Sequence, residues 1–178
     1  MSTEYTMDQL AGRINIIAGK DNQLGQVGVV SDTTVTAGSQ LAVTNSARPI
    51  GVRIVKKSGA TSGIKGGLGV KYKAGYEGTV VDALSTATSG CDGIVDPALT
   101  ADLADGDTFL LYESGPIDYV AGGTIAAGAN VKPTAAGEFI IVSGNEPGVG
   151  RNGLVAGADG NTQEGFFALG ITAKGLIA

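Results

Sequence analysis

Thirty glycines, scattered among short runs rich in Val, Ile and Thr, constrain this chain more than any other feature. Gly supplies the positive φ that tight turns require. β-Branched residues are already restricted at χ1 and lose little in an extended backbone. Many short strands joined by many turns is the architecture that this alternation specifies. Gly is far above its usual share of about 7%, yet no strict G-X-Y period exists, which excludes a collagen triple helix. Aromatic residues make up only 5% and Trp is missing, so any core is built from small apolar side chains. A length of 178 residues suits one domain, or one domain with an appended arm.

One phrase occurs twice. Thr124-Ile125-Ala126-Ala127-Gly128-Ala129-Asn130-Val131-Lys132-Pro133-Thr134 reads as a strand end, a tight turn at Ala127-Gly128 and a second short strand. Thr34-Val35-Thr36-Ala37-Gly38-Ser39-Gln40-Leu41-Ala42-Val43-Thr44 repeats it, with Val35/Ile125 and Leu41/Val131 keeping their apolar character. A related closing phrase follows each copy, Pro49 to Ile54 after the first and Ala168 to Ala173 after the second. The chain therefore reads as two elaborations of one small β unit.

Along the chain, residues 1–26 stand apart from 27–178. Tyr5, Leu10, Ile14, Ile16 and Ile17 fit either a first strand or an arm that orders against a neighbouring subunit. Strands are expected at Val27–Val30, Thr33–Thr36, Gln40–Val43 and Gly51–Lys56, followed by a mobile Gly-rich loop over 58–69. Val70–Lys73 and Gly78–Val81 read as a hairpin around Ala74-Gly75. A short helix is expected at Asp96–Leu103, with an Asp cap, Pro97 at the first helical position and Leu99/Leu103 four apart. Thr108–Glu113 reads as the strongest strand, turned at Ser114-Gly115-Pro116 into Ile117–Val120. Glu138–Val142 and Phe166–Thr172 are the last strands, separated by a Gly/Asn-rich loop from Ser143 to Asn161.

Chemistry is sparse. With no His, the usual general bases, metal ligands and catalytic triads are mostly out of reach. Asp102, Asp105, Asp107 and Glu113 are the carboxylates an enzyme would have to use, but three acids around a Gly-Asp turn more often make a solvated corner. Asp159, Asn161 and Glu164 have incomplete hard-cation spacing, so no metal and no cofactor is expected. Cys91 is single and lacks an activating His, which points to a packed thiol. Gly148-Val149-Gly150-Arg151-Asn152-Gly153 matches G-x-G-x-x-G without the strand-then-helix context that a dinucleotide site needs. A net charge of −5 argues against nucleic acid, and Arg53, Lys56, Lys57 and Lys65 form the densest basic cluster. No signal peptide and no apolar run near the ~18 residues of a membrane span are evident, so synthesis in a cytosol-like compartment, with any exit by a route other than secretion, and no membrane partner are expected.

Four stretches resemble the capsid decoration (cement) proteins of tailed bacteriophages. They are Gly106 to Leu111, Val120 to Gly128, Ala136 to Phe139 and Ala168 to Thr172. The likeness covers roughly the last seventy residues well and residues 27–57 more weakly. It implies an all-β fold, a small β-barrel or β-tulip-like domain of short strands and Gly-rich loops. It also implies a homotrimer on the outer capsid face that clamps neighbouring major capsid protein subunits, without enzymatic activity. The shortest members of that family are shorter than this chain, so 1–26 becomes an extended N-terminal arm and 58–105 an insertion. Strand addition would make the arm the capsid contact, with Tyr5, Leu10, Ile14, Ile16 and Ile17 as anchors. Another virion component, a tail-tube or fibre-base protein, is the nearest alternative. A carboxylate-using enzyme on a trimeric β scaffold and a small-ligand barrel are further off, the latter for want of aromatics to line a pocket.

Overall fold

The computed structural model describes residues 23–32, 48–58, 63–84, 90–143, 148–153 and 157–169. Among them run ten strands: β1 (Val27–Asp32), β2 (Arg48–Lys57), β3 (Gly69–Tyr72), β4 (Val80–Ala83), β5 (Gly93–Val95), β6 (Thr108–Val120), β7 (Asn130–Pro133), β8 (Phe139–Ile141), β9 (Gly150–Asn152) and β10 (Thr162–Ala168). Many short strands is what the Gly and β-branched alternation leads one to expect, and here they join in one sheet. The first copy of the repeated phrase, and the candidate arm anchors Tyr5, Leu10, Ile14, Ile16 and Ile17, lie outside the described residues.

The pairings close on themselves twice around one long strand. β6 pairs antiparallel with β2 through its first half and with β5 on its other edge. β5 pairs with β3, β3 with β4, and β4 runs parallel to β2, which completes a five-strand ring. The second half of β6 pairs with β10, and β9, β7 and β8 follow in order. A parallel bridge between Ala121 and Phe139, with the Gly122 N–H donating to the Phe139 carbonyl at 2.8 Å, returns β8 to the end of β6. β1 lies outside the first ring, on the edge of β2 ahead of β4.

Strand alternation sends successive side chains to opposite faces. Val55, Val70, Tyr72, Val81, Val95, Phe109 and Leu111 come from all five strands of the first ring and form one buried cluster, its filling. Ile117, Tyr119, Ala121, Val131, Phe139 and Phe167 fill the second ring. Val52, Ile54, Ile94 and Leu110 alternate with the first set and join the second cluster, so β2, β5 and β6 are buried on both faces. That double burial explains the unbroken apolar runs Ile94-Val95 and Phe109 to Leu111.

Four expectations change. The Ser143-to-Asn161 loop carries a strand, β9. Asp96–Leu103 is not a helix but a turn: the Asp96 carbonyl accepts from Leu99 N–H, and Asp96 Oδ1 accepts from Ala98 N–H at 2.9 Å. Tertiary contacts override the helical signal, because Leu99 O accepts from Gly66 and Leu103 N–H donates to Ile64. Ser114-Gly115-Pro116 does not reverse the chain. Gly115 takes φ 110°, and a bulge places Tyr112, Glu113 and Ser114 opposite Val52 and Gly51, so β6 runs on from one ring into the next. The described part of the Gly-rich loop is packed: Ile64 and Leu68 are buried, and Gly66, Gly67 and Gly69 donate to Leu99, Val95 and Gly137.

The Ala74-Gly75 hairpin and the turn at Ala127-Gly128 are both present, the latter between a bridge at Ile125 and β7. From the 58–105 stretch come β3, β4 and β5, which connect β2 to β6 around the first ring.

Candidate functional site

At the bulge in β6, on the face that Phe109 and Leu111 share, lies a carboxylate. Glu113 is buried, and its Oε1 accepts from Arg53 Nε at 2.9 Å and from the Tyr72 hydroxyl at 2.6 Å. Oε2 accepts from Arg53 Nη2 at 3.3 Å, so the guanidinium meets it as a two-pronged fork. Arg53 Nη1 donates to the Gly25 carbonyl at 3.2 Å, and Asp92 Oδ2 accepts from the Tyr72 backbone N–H at 2.9 Å. Burial alone would pull the Arg53 guanidinium down, but the hydrogen bond and charge of Glu113 outweigh it and leave it raised. Burial, then the hydrogen bond and charge of Glu113, push the Tyr72 phenol up. Leaving either charge of such a pair alone costs about 3–5 kcal/mol.

A second polar pair lies nearby in the chain. Burial, then the charge and hydrogen bond of Asp96, raises Tyr112. Burial also raises the Asp96 carboxyl, against the opposing hydrogen bonds from Ala98 N–H and the Tyr112 hydroxyl. These groups are engaged with one another inside the protein, which fits a frame better than a reaction centre.

In the second ring Tyr119, Phe139 and Phe167 meet edge to face, with centroids 5.2–5.5 Å apart. Asn152 turns this apolar knot into a specified one. It accepts from the Tyr119 hydroxyl at 2.8 Å and donates from Nδ2 to the Ala126 carbonyl at 3.0 Å. Gly150 is the close approach in the same knot, since a Cβ there would run into the Phe167 ring. The G-x-G-x-x-G match is thus a strand, β9, whose glycine makes room for an aromatic ring.

The sequence-derived carboxylates do not converge. Asp107 Oδ2 accepts from Ala104 N–H at 2.7 Å in an exposed corner that also holds Asp102 and Asp105. Glu113 lies six residues further along β6, roughly 20 Å away at the usual strand rise. Asp159 sits in an exposed turn, the Asn161 carbonyl accepts from Ala121 N–H, and Glu164 is on β10 opposite Asp118. Among the described residues no three His, Cys, Asp or Glu side chains gather in a way that could hold a metal ion. Cys91 is buried in the core, as expected. The basic cluster disperses: Arg53 is paired and Lys57 is buried, while Lys65 is exposed.

Sequence reading placed the contact surface before residue 27 and missed the apolar groups that the described surface presents. Val27, Tyr76, Ile141 and Phe166 are the large exposed ones. Lys73 lies over the Tyr76 ring at 5.5 Å, and Arg151 pairs across from Phe166. Only the alternation within β10 could have flagged Phe166, and its neighbours Gly165 and Phe167 mask it.

No protein-family model matches the chain, and no curated protein sequence does either. Among solved structures, the fold is similar to that of the N base of the head fiber gp8.5 from bacteriophage phi29. The TM-score is 0.50 at 12% identity, over 66% of this chain and 92% of the other. At that identity the likeness is one of fold.

Proposed function

We propose that the chain is a structural component of a phage particle, a decoration protein that binds the outer face of the head as a homotrimer. In this reading it stabilises the shell by clamping neighbouring major capsid subunits, and it acts by binding, without cofactor, nucleic acid or membrane. The observation that carries the proposal is the fold likeness to a head fiber base. The decoration-protein resemblance of Gly106 to Leu111, Val120 to Gly128 and Ala136 to Phe139 points the same way. The first of these stretches runs into the start of β6 in the first ring, while the other two are the end of β6 with the Ile125 turn and the start of β8, which close the second ring.

Physical reasoning supports a binding role. Small apolar side chains suit many modest contacts repeated by symmetry, and a trimer multiplies them through effective concentration. Residues 1–26 are proposed as the capsid contact, with Tyr5, Leu10, Ile14, Ile16 and Ile17 as anchors.

A mass measurement in solution, combined with sedimentation of the protein with heads that lack it, tests the reading. The expected result is a discrete trimer that co-sediments with the heads. A protein that leaves the heads undecorated would overturn it. Deleting residues 2–18 is expected to leave a folded trimer without head binding.

The similar structure is itself a fiber base, which favours a second reading. Here the chain anchors a projecting fibre rather than clamping the shell. Electron microscopy of decorated heads separates the two, as a low cap at the capsid surface or as the foot of a projection.

A further inference from the structure

The same guanidinium that grips Glu113 also reaches the chain entering β1. We propose that the Arg53–Glu113 pair is a latch that fixes residues 23–26 to β2, so that the chain preceding them departs from one defined point on the first ring. This goes beyond the phage reading and does not depend on it.

Four contacts meet at that point. Gly25 donates its N–H to the Ile54 carbonyl at 2.8 Å, and Ile54 N–H donates back to the Gln26 carbonyl at 3.0 Å. Arg53 Nη1 then takes the Gly25 carbonyl, so both polar groups of that peptide position are held by neighbouring residues of β2. Leu24 packs against the larger core cluster. Gly25 itself turns with φ 82° against Gly78 and Thr79, where a Cβ would touch both at 3.4 Å.

The fork explains why the residue is Arg. Nε and Nη2 are committed to Glu113, which leaves Nη1 aimed outward at a fixed angle. A Lys ammonium is a single point charge on a flexible stem and does not hold two acceptors in such a frame. Glu113 is steadied in turn by the Tyr72 hydroxyl and by its place in the bulge. The lead-in to β1, the interior of the first ring and the passage of β6 into the second ring therefore share one carboxylate.

Removing Arg53 alone would leave the Glu113 carboxylate buried without its counter-charge, and such a variant is apt to unfold. The decisive protein is the full chain carrying Arg53→Met and Glu113→Leu together, since apolar replacement of both partners is commonly tolerated. Amide hydrogen exchange is read residue by residue, beside the thermal midpoint. In the double variant the Gly25 and Ile54 amides are expected to exchange roughly tenfold faster or more, while β6 amides keep their rates. Arg53→Lys is expected to fall between wild type and the double variant. Unchanged exchange at Gly25 and Ile54 in a folded double variant would overturn the latch. So would a double variant that does not fold, which would make the pair part of the ring's frame instead.

Discussion

The Tyr119 hydroxyl donates to Asn152 Oδ1 at 2.8 Å across 33 positions of chain, joining β6 to β9 inside the second ring. Asn152 also donates to the Ala126 carbonyl and offers its own backbone N–H to Ala129. One buried amide thus fixes β9 against the turn that precedes β7. Asn152→Leu strands the buried phenol, at about 1–3 kcal/mol, and removes one of the two donors to the Ala126 carbonyl, which keeps its bond from Ala129 N–H. Tyr119→Phe removes one hydrogen bond and leaves the Asn152 side chain in place, so it is expected to cost less. Urea unfolding of the two variants checks the order.

Phe167 and Gly150 are the steric pair of the same knot. Gly150→Ala drives a methyl into the Phe167 ring and is expected to destabilise by roughly 1–3 kcal/mol, the usual cost of overpacking. Phe167→Ala removes one of three mutually packed rings, at about 3–5 kcal/mol. Because the two sites touch, their effects should not add: the cavity left by Phe167→Ala accommodates the new methyl. A double-mutant cycle by equilibrium unfolding is expected to show a double variant less destabilised than the sum of the singles.

Much of this fold was legible because its signals are local. Gly128 with φ 69° announces its turn, and the Val70–Val81 hairpin follows from alternation about Ala74-Gly75. The failures share one cause, in that a distant partner decides the local structure. Asp96-Pro97 looks like a helix start, but Ile64 and Gly66 capture the backbone that would have made it. Ser114-Gly115-Pro116 looks like a reversal, but β2 and β10 both pair with Ser114 and hold the strand straight through. The Arg53–Glu113–Tyr72 knot could not be read at all. Its members lie 41 and 60 positions apart, and nothing near Glu113 in the chain names either partner. What the sequence did reveal about function was negative chemistry, chiefly the want of His, together with a resemblance carried by turn and strand phrases.

Alkaline pH should unfold the protein through its buried phenols. Burial pushes Tyr119 up to about 12, and Tyr72 and Tyr112 are also raised. The folded state therefore holds these protons at a pH where the unfolded chain, near the ordinary value of about 10, has released them. Stability from this source is fully present below about pH 10 and falls as pH climbs toward 12. Phenolate absorbance from these three is expected to rise together with loss of the near-UV circular dichroism signal. A rise from them while the fold stays intact would contradict the burial.

Asp96 gives the acid-side counterpart. Burial raises its carboxyl, so the folded state binds the proton more readily than the unfolded chain does. By the same linkage its contribution is most favourable below the ordinary carboxylate range and declines as pH rises through the raised folded value. Asn is isosteric, never ionises, accepts from Ala98 N–H and donates to the Tyr112 oxygen. Asp96→Asn is therefore expected to match or exceed the wild type at pH 7 and to lose that advantage near pH 3. Thermal midpoints at the two values check the sign.

Gly115 and Gly128 both have positive φ, but they differ in what they tolerate. Gly128 at φ 69° sits in the left-handed helical region, which Asn enters at modest cost. Gly115 at φ 110° lies beyond it, in the middle of the strand that both rings share. Gly115→Ala imposes backbone strain of about 1–3 kcal/mol, and the strain falls at the bulge that carries Glu113. Gly128→Asn is expected to cost only a fraction of that, since the turn keeps its Ala129-to-Ala126 hydrogen bond. Exchange at the Leu169 amide, which donates to the Glu113 carbonyl two residues before Gly115, reads the consequence directly. It should open in Gly115→Ala and not in Gly128→Asn; equal effects would mean that the two glycines serve the fold in the same way.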